Sequence, residues 1–149
     1  MVEKMFSRRR TRSVQLGSIA IGGDNPVSVQ SMTTTKTSDV TATVAQIAAL
    51  QTAGCEIVRL AIPDMAAAMA VSSIKEASSV PLVADIHFDY RLALEVISRG
   101  IDALRLNPGN IKDSEQVRTV VRAAQARRIP IRIGVNAGSL DGAMLEKHG

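Results

Sequence analysis

Residues 81–91 read PLVADIHFDYR, and how this stretch is read decides the rest of the chain. Pro81 to Ile86 is an apolar run of strand length interrupted by Asp85, and His87 follows two positions later. Residues two apart share one face of a β-strand, so Asp85 and His87 point one way while Leu82, Ala84 and Ile86 point the other. Asp89 then opens YRLALEVISRG, whose apolar spacing is that of a helix behind a capping aspartate. A strand with one apolar face that passes directly into a helix is the repeating unit of a parallel α/β sheet.

The unit recurs on both sides. The other apolar runs are VSVQSM from Val27, IVRLAI from Ile57, ALRLN from Ala103 and IRIGVN from Ile131. Between them lie helical patterns introduced by Asp39, Asp64 and Asp113, with Gly54 and Gly100 placed as C-terminal stops. Upstream, SVQLGSIAIGG alternates around Gly17-Ser18, a hairpin signal. Eight such βα units close a TIM barrel in about 250 residues. The expected fold is therefore α/β: an incomplete (β/α) TIM barrel of five units behind a short hairpin. Residues 1–12 read as a basic arm and 13–149 as the partial barrel, with SLDGAMLEKHG inside the fifth helix.

Composition narrows the function. The chain has 149 residues, 46% hydrophobic, and a net charge of +4. The excess sits in the arm, where Lys4, Arg8, Arg9, Arg10 and Arg12 face only Glu3. Aromatic residues make up 2% of the chain, which leaves little for nucleobases to stack on, so no nucleic-acid role is expected. The uncharged run from Val40 to Cys55 is short for a membrane span and carries Thr41, Thr43, Gln46, Gln51 and Thr52, so it reads as an amphipathic helix. With Cys55 as the single cysteine, no disulfide and no metal site of the chain's own are expected, and the setting reads as reducing and cytoplasmic.

The strands carry the functional signal. In a parallel barrel both strand faces are normally apolar. Here one parity is apolar (Val27, Val29; Val58, Leu60, Ile62; Leu82, Ala84, Ile86; Leu104, Leu106; Ile131, Ile133, Val135) and is expected to pack under helices. The other carries Ser28, Gln30; Arg59; Asp85, His87; Arg105, Asn107; Arg132 and Asn136, mostly toward the C-terminal halves of the strands, where barrel enzymes place their sites. Three arginines confined on a face with one carboxylate need an anion, because desolvating each unpaired would cost on the order of several kcal/mol. The guanidinium fork matches phosphate oxygens, so a polyphosphate would fit.

The motifs VQSMT from Val29, IVRLAIP from Ile57, PLVADIHFDYR, LRLNPGNI from Leu104 and IPIRIGVNAGSL from Ile129, with RRRTRSVQLG in the arm, closely resemble the N-terminal barrel of the 4-hydroxy-3-methylbut-2-enyl diphosphate synthase family. The resemblance implies a reductive opening of 2-C-methyl-D-erythritol 2,4-cyclodiphosphate in non-mevalonate isoprenoid biosynthesis. It implies a homodimer served by ferredoxin or flavodoxin. It also implies that Arg59, Arg105, Arg132 and Asn136 hold the cyclic diphosphate and that Asp85, His87 and Asn107 lie near the substrate as candidate catalytic residues; Gln30, on the same strand parity, is expected to bind substrate beside them. In the family a [4Fe-4S] cluster is held by three cysteines and a glutamate on a separate C-terminal domain, which has no counterpart in these 149 residues. Cys55 matches none of those ligands, so the chain is expected to hold no cluster and to be inactive alone. The competing expectation is a non-catalytic, self-associating half barrel that binds anions.

Overall fold

Gly17 and Ser18 turn the chain between β1 (Val14–Leu16) and β2 (Ile19–Ile21), which pair antiparallel with Leu16 opposite Ile19. Gly17 has φ +55° and opens the two-residue turn, a conformation in which a side chain would be strained. A Cβ there would also come within 2.9 Å of the Pro81 ring. The computed structural model describes residues 9–107, 110–111, 113–135 and 142–148, with the side chains of 143–145 excepted.

Five parallel strands then follow in sequential order: β3 (Gln30–Met32), β4 (Ile57–Ala61), β5 (Leu82–Ile86), β6 (Ala103–Leu106) and β7 (Ile131–Ile133). They alternate with α1 (Val40–Thr52), α2 (Met65–Ala77), α3 (Tyr90–Ser98) and α4 (Ser114–Ala126), and α5 (Gly142–His148) comes last. This is the expected run of βα units with its hairpin. The sheet is open, with β3 and β7 at its edges. Among the described residues no helix is long and apolar enough to cross a membrane.

Local signals set the helix limits. The Asp39, Asp64, Asp89 and Asp113 carboxylates each accept a backbone N–H in the first turn, which is why all four helices begin where the sequence places them. At the other end, Cys55 donates to the Leu50 carbonyl, Ile101 to that of Val96 and Ile129 to that of Ala124, each bond closing over a left-handed residue. Two of these residues are the expected Gly54 and Gly100; the third is Arg128, at φ +56°.

The apolar parity makes the main core. Val58, Leu60, Ile62, Leu82, Ala84, Ile86, Leu104 and Leu106 are buried with Val71, Ile74, Val96 and Val120 of the helices. Full burial of each such Leu or Ile contributes about 1.5–3 kcal/mol. Four members of the expected set depart from it: Val27 (76%), Val29, Ile133 (69%) and Val135 are exposed. All four belong to or flank an edge strand, where the sheet continues on one side only. The strands there are also shorter than the apolar runs, since pairing starts at Gln30 rather than Val27 and ends at Ile133.

A second cluster lies on the opposite face. Ile57, Val83 and Ala103, at the N-terminal ends of three strands, pack against Leu16, with Ile19 and Ile21 alongside. The hairpin thus closes the lower end of the polar-parity face with a dry floor. It is seated near Asp102, which accepts the Leu82 N–H at 2.8 Å and pairs with Lys75 Nζ at 2.6 Å. Asp102→Ala removes the acceptor of a buried N–H, and orphaning such a group costs about 1–3 kcal/mol. Denaturant unfolding is expected to show that loss with an unchanged m-value, whereas a cost under a few tenths of a kcal/mol would mean that water replaces the carboxylate.

Candidate functional site

Above that floor the same face turns polar. The register aligns Asp85 with Arg105 and Arg105 with Arg132 across three strands, and puts Ala61 beside Asp85. Residues opposite one another in adjacent strands present side chains on the same face, so this row is a continuous acid–base–base strip. Arg59 sits one pleat lower, opposite Val83, and reaches the row through its length.

The Asp85 side chain is 5% exposed and is shared among three neighbours. Arg105 Nη1 donates to its Oδ1 at 3.1 Å, Arg59 Nε lies 3.5 Å from Oδ2, and His87 Nε2 lies 3.5 Å from Oδ1. Arg105 is the most enclosed of the bases, with 16% of its side chain exposed, and its Nη2 also donates to the Gly134 carbonyl at 3.3 Å. Arg132 is exposed and makes no ion pair among the described residues, and it borders a cleft shared with Arg12, Leu16, Val83 and Ala103. Among the described residues of this face, one carboxylate therefore accompanies three guanidiniums, and two positive charges remain to be matched.

The remaining expected residues fall as follows. His87 stands just beyond β5 with half its side chain exposed, its ring 6.0 Å from that of Phe88. Together with Ile62, Pro63 and Leu92 these two rings line a cleft of about 400 Å³ beside the strip. Asn107 is buried just past β6, and its carbonyl accepts the Asn110 N–H at 3.0 Å. Gln30 pairs with Ile57 at the level of the floor, below the arginines, and its buried Oε1 has no hydrogen-bond donor among the described residues. Asn136 lies outside the described residues. Asp89, which leads into α3, is held below the usual carboxylate range chiefly by its side-chain hydrogen bond from Arg91.

Two contacts escaped the sequence reading, although Gly134 shares the polar parity of Arg132. Met32 Sδ lies 3.2 Å from Arg59 Nε, and its two-residue spacing from Gln30 on the polar parity would have found it. Gly134 lies under the Arg105 guanidinium, a closeness that no spacing rule encodes.

An iron–sulfur cluster does not fit the residues here. The single cysteine is buried at the entry to β4, with Sγ donating to the Ile57 carbonyl at 3.0 Å. No three His, Cys, Asp or Glu side chains converge as a metal site among the described residues. What the strip can do is bind an oxyanion in a fixed orientation, with an acid and an imidazole beside it.

Comparison with known proteins identifies the family of the chain. Residues 11–149 match the GcpE TIM-barrel domain. The chain is 58% identical over 148 residues to 4-hydroxy-3-methylbut-2-en-1-yl diphosphate synthase (flavodoxin) of Geobacillus thermodenitrificans, covering 99% of this chain and 40% of that protein. It is 59% identical over 145 residues to the enzyme of the same name from Maridesulfovibrio salexigens, covering 97% and 40%. The chain thus spans about 40% of the length of these curated relatives. Among solved structures, dihydropteroate synthase of Xanthomonas albilineans with 4-aminobenzoic acid superposes with a TM-score of 0.62 at 13% identity, over 93% of this chain and 57% of that one. That likeness concerns the fold alone.

Replacing Asp85 by Ala is expected to lower stability by about 1.5–3 kcal/mol, the range for a hydrogen bond to a charged group, because Arg105 loses its carboxylate in a largely dry position. Added pyrophosphate should restore more of the melting temperature in the variant than it adds to the wild type. Equal increments in the two proteins would show that the carboxylate and the anion do not meet the same arginines.

Proposed function

This chain belongs to the GcpE TIM-barrel family, and from that premise we propose that it is the substrate-holding barrel portion of a 4-hydroxy-3-methylbut-2-en-1-yl diphosphate synthase. The reaction of that reading opens 2-C-methyl-D-erythritol 2,4-cyclodiphosphate to (E)-4-hydroxy-3-methylbut-2-enyl diphosphate, with uptake of two electrons and release of water. Electrons would come from flavodoxin or ferredoxin by way of a [4Fe-4S] centre held outside these residues, in a homodimer. The division into a basic arm (1–12) and partial barrel (13–149) belongs to the same proposal.

The observation that carries it is the aligned row of Asp85, Arg105 and Arg132, into which Arg59 also reaches. In this reading Arg59, Arg105 and Arg132 hold the cyclic diphosphate, with Asn136 and Gln30 as further contacts. Asp85 holds the Arg59 and Arg105 guanidiniums in place, and with His87 and Asn107 it lines the reacting end. A diphosphate would offset the two unmatched positive charges on a face whose floor excludes water, where charge-assisted hydrogen bonds are strongest.

The open edges favour a second reading, a half barrel that associates with itself. Val27, Val29, Ile133 and Val135 are exposed there, and unpaired parallel edges recruit further strands. Sedimentation of the 149-residue chain separates the two: a concentration-dependent dimer or larger species that Ile133→Lys dissolves supports self-association, and a monomer at all concentrations removes it.

The anion clamp has its own test. In a full-length enzyme carrying this barrel, Arg132→Ala should weaken binding of the cyclic diphosphate tenfold or more, because a charge-assisted donor contributes about 1.5–3 kcal/mol. Arg118→Ala should change it little, since Arg118 is 65% exposed and already paired with Glu115, and exposed pairs are worth about 1 kcal/mol or less. Arg132→Lys should recover only part of the loss, keeping the charge without the fork. Calorimetric titration with circular dichroism controls measures all three, and equal affinities for Arg132→Ala and Arg118→Ala would place the phosphate elsewhere.

A further inference from the structure

Gly134 follows β7 and lies directly beneath the Arg105 side chain. A Cβ built on it would stand 2.5 Å from Arg105 Nε, 2.8 Å from Nη2 and 3.0 Å from Cζ. No side chain and guanidinium can share that space. Gly134 does not occupy the left-handed region, so its backbone conformation does not call for glycine. The three nearest atoms that a methyl group would meet all belong to the end of one flexible side chain. The absence of a side chain at 134 therefore serves Arg105.

What Arg105 gains is an aim. With the guanidinium laid across β7, Nη1 donates to Asp85 Oδ1 at 3.1 Å and Nη2 to the Gly134 carbonyl at 3.3 Å. Two of the five guanidinium N–H donors are then committed to fixed partners on either side, and among the described residues the others remain available to an incoming oxyanion. The long arginine stem has many rotamers, and fixing it before a ligand arrives removes an ordering cost from binding.

We propose that Gly134 is a positioning residue for the anion clamp, forming the seat that holds the Arg105 guanidinium between Asp85 and β7. The inference rests on the reading of Arg105 as an anion-binding residue, but the seat itself can be tested without any ligand. A methyl group at 134 lifts the guanidinium away from β7, and both of its fixed partners are lost together.

The experiment has two parts, both on the full chain. The first is a crystal structure and melting curve of Gly134→Ala. The fold should be unchanged, the melting curve cooperative, and Arg105 moved out of hydrogen-bond distance of Asp85. An Arg105 that still contacts Asp85 overturns the proposal. A variant that fails to fold overturns it too, because glycine is then required by the backbone.

The second part is titration with inorganic pyrophosphate of the wild type, Gly134→Ala, Arg105→Ala and the double variant. Gly134→Ala alone should weaken binding about tenfold, the equivalent of one hydrogen bond to a charged group. In the Arg105→Ala background the same substitution should cause no further loss, since there is no guanidinium left to displace. A tenfold loss in both backgrounds would show that Gly134 acts through the backbone and would overturn the proposal. Failure of the wild type to bind pyrophosphate would strike at the anion-clamp reading, while a displaced Arg105 in the first part would still support the seat.

Discussion

A carboxylate that is nearly removed from water must have its charge answered by fixed groups, and Asp85 is held in that condition on the polar face of the sheet. Two guanidiniums answer it, Arg105 from the next strand and Arg59 from one pleat below, and the His87 ring stands 3.5 Å away, two residues along the same chain. None of the three contacts could be made by a side chain of opposite parity. The acid therefore enforces the orientation of two guanidiniums while consuming only part of their charge. A face with more carboxylates would be satisfied internally and indifferent to ligands; a face with none would be too costly to assemble before a ligand arrived.

The same face is divided by height. Ile57, Val83 and Ala103 at the strand starts meet the hairpin and exclude water, and one pleat higher the positions turn to charge. The apolar floor belongs to stability, and the polar row belongs to recognition. This division explains how a strand as apolar as β5 tolerates Asp85: the residue two positions earlier, Val83, is buried on the same face as part of the floor. Gln30 sits at floor level, which gives it a different environment from the arginines whose parity it shares.

Much of the fold could be read from the chain because its signals are local. Four aspartates cap the four helices between strands, and alternation within a strand is fixed by backbone geometry. The third left-handed helix stop was hidden because Arg128 occupies it, and no composition rule flags an arginine there. The exposure of Val27, Val29, Ile133 and Val135 was hidden for another reason: apolar residues report that a strand could be covered, whereas the cover depends on what lies beyond each sheet edge. Among site residues, the shared orientation of Arg59, Asp85, Arg105 and Arg132 followed from parity. The sharing of one acid, the role of Met32 and the closeness of Arg105 to Gly134 depend on side-chain reach, which spacing does not encode.

The hairpin brings time into the description. Leu16 is made early in synthesis, yet its partners Ile57, Val83 and Ala103 belong to three strands spread over much of the chain. Before those strands are aligned, the two short strands of the hairpin have nothing to lie on, and a lone two-stranded hairpin is marginal in water. Its docking closes long loops, from Leu16 to strands as distant as that of Ala103, and is repaid only when the sheet exists. The hairpin beneath the charged row thus precedes in the chain the three strands it rests on, and it can be put in place only after them.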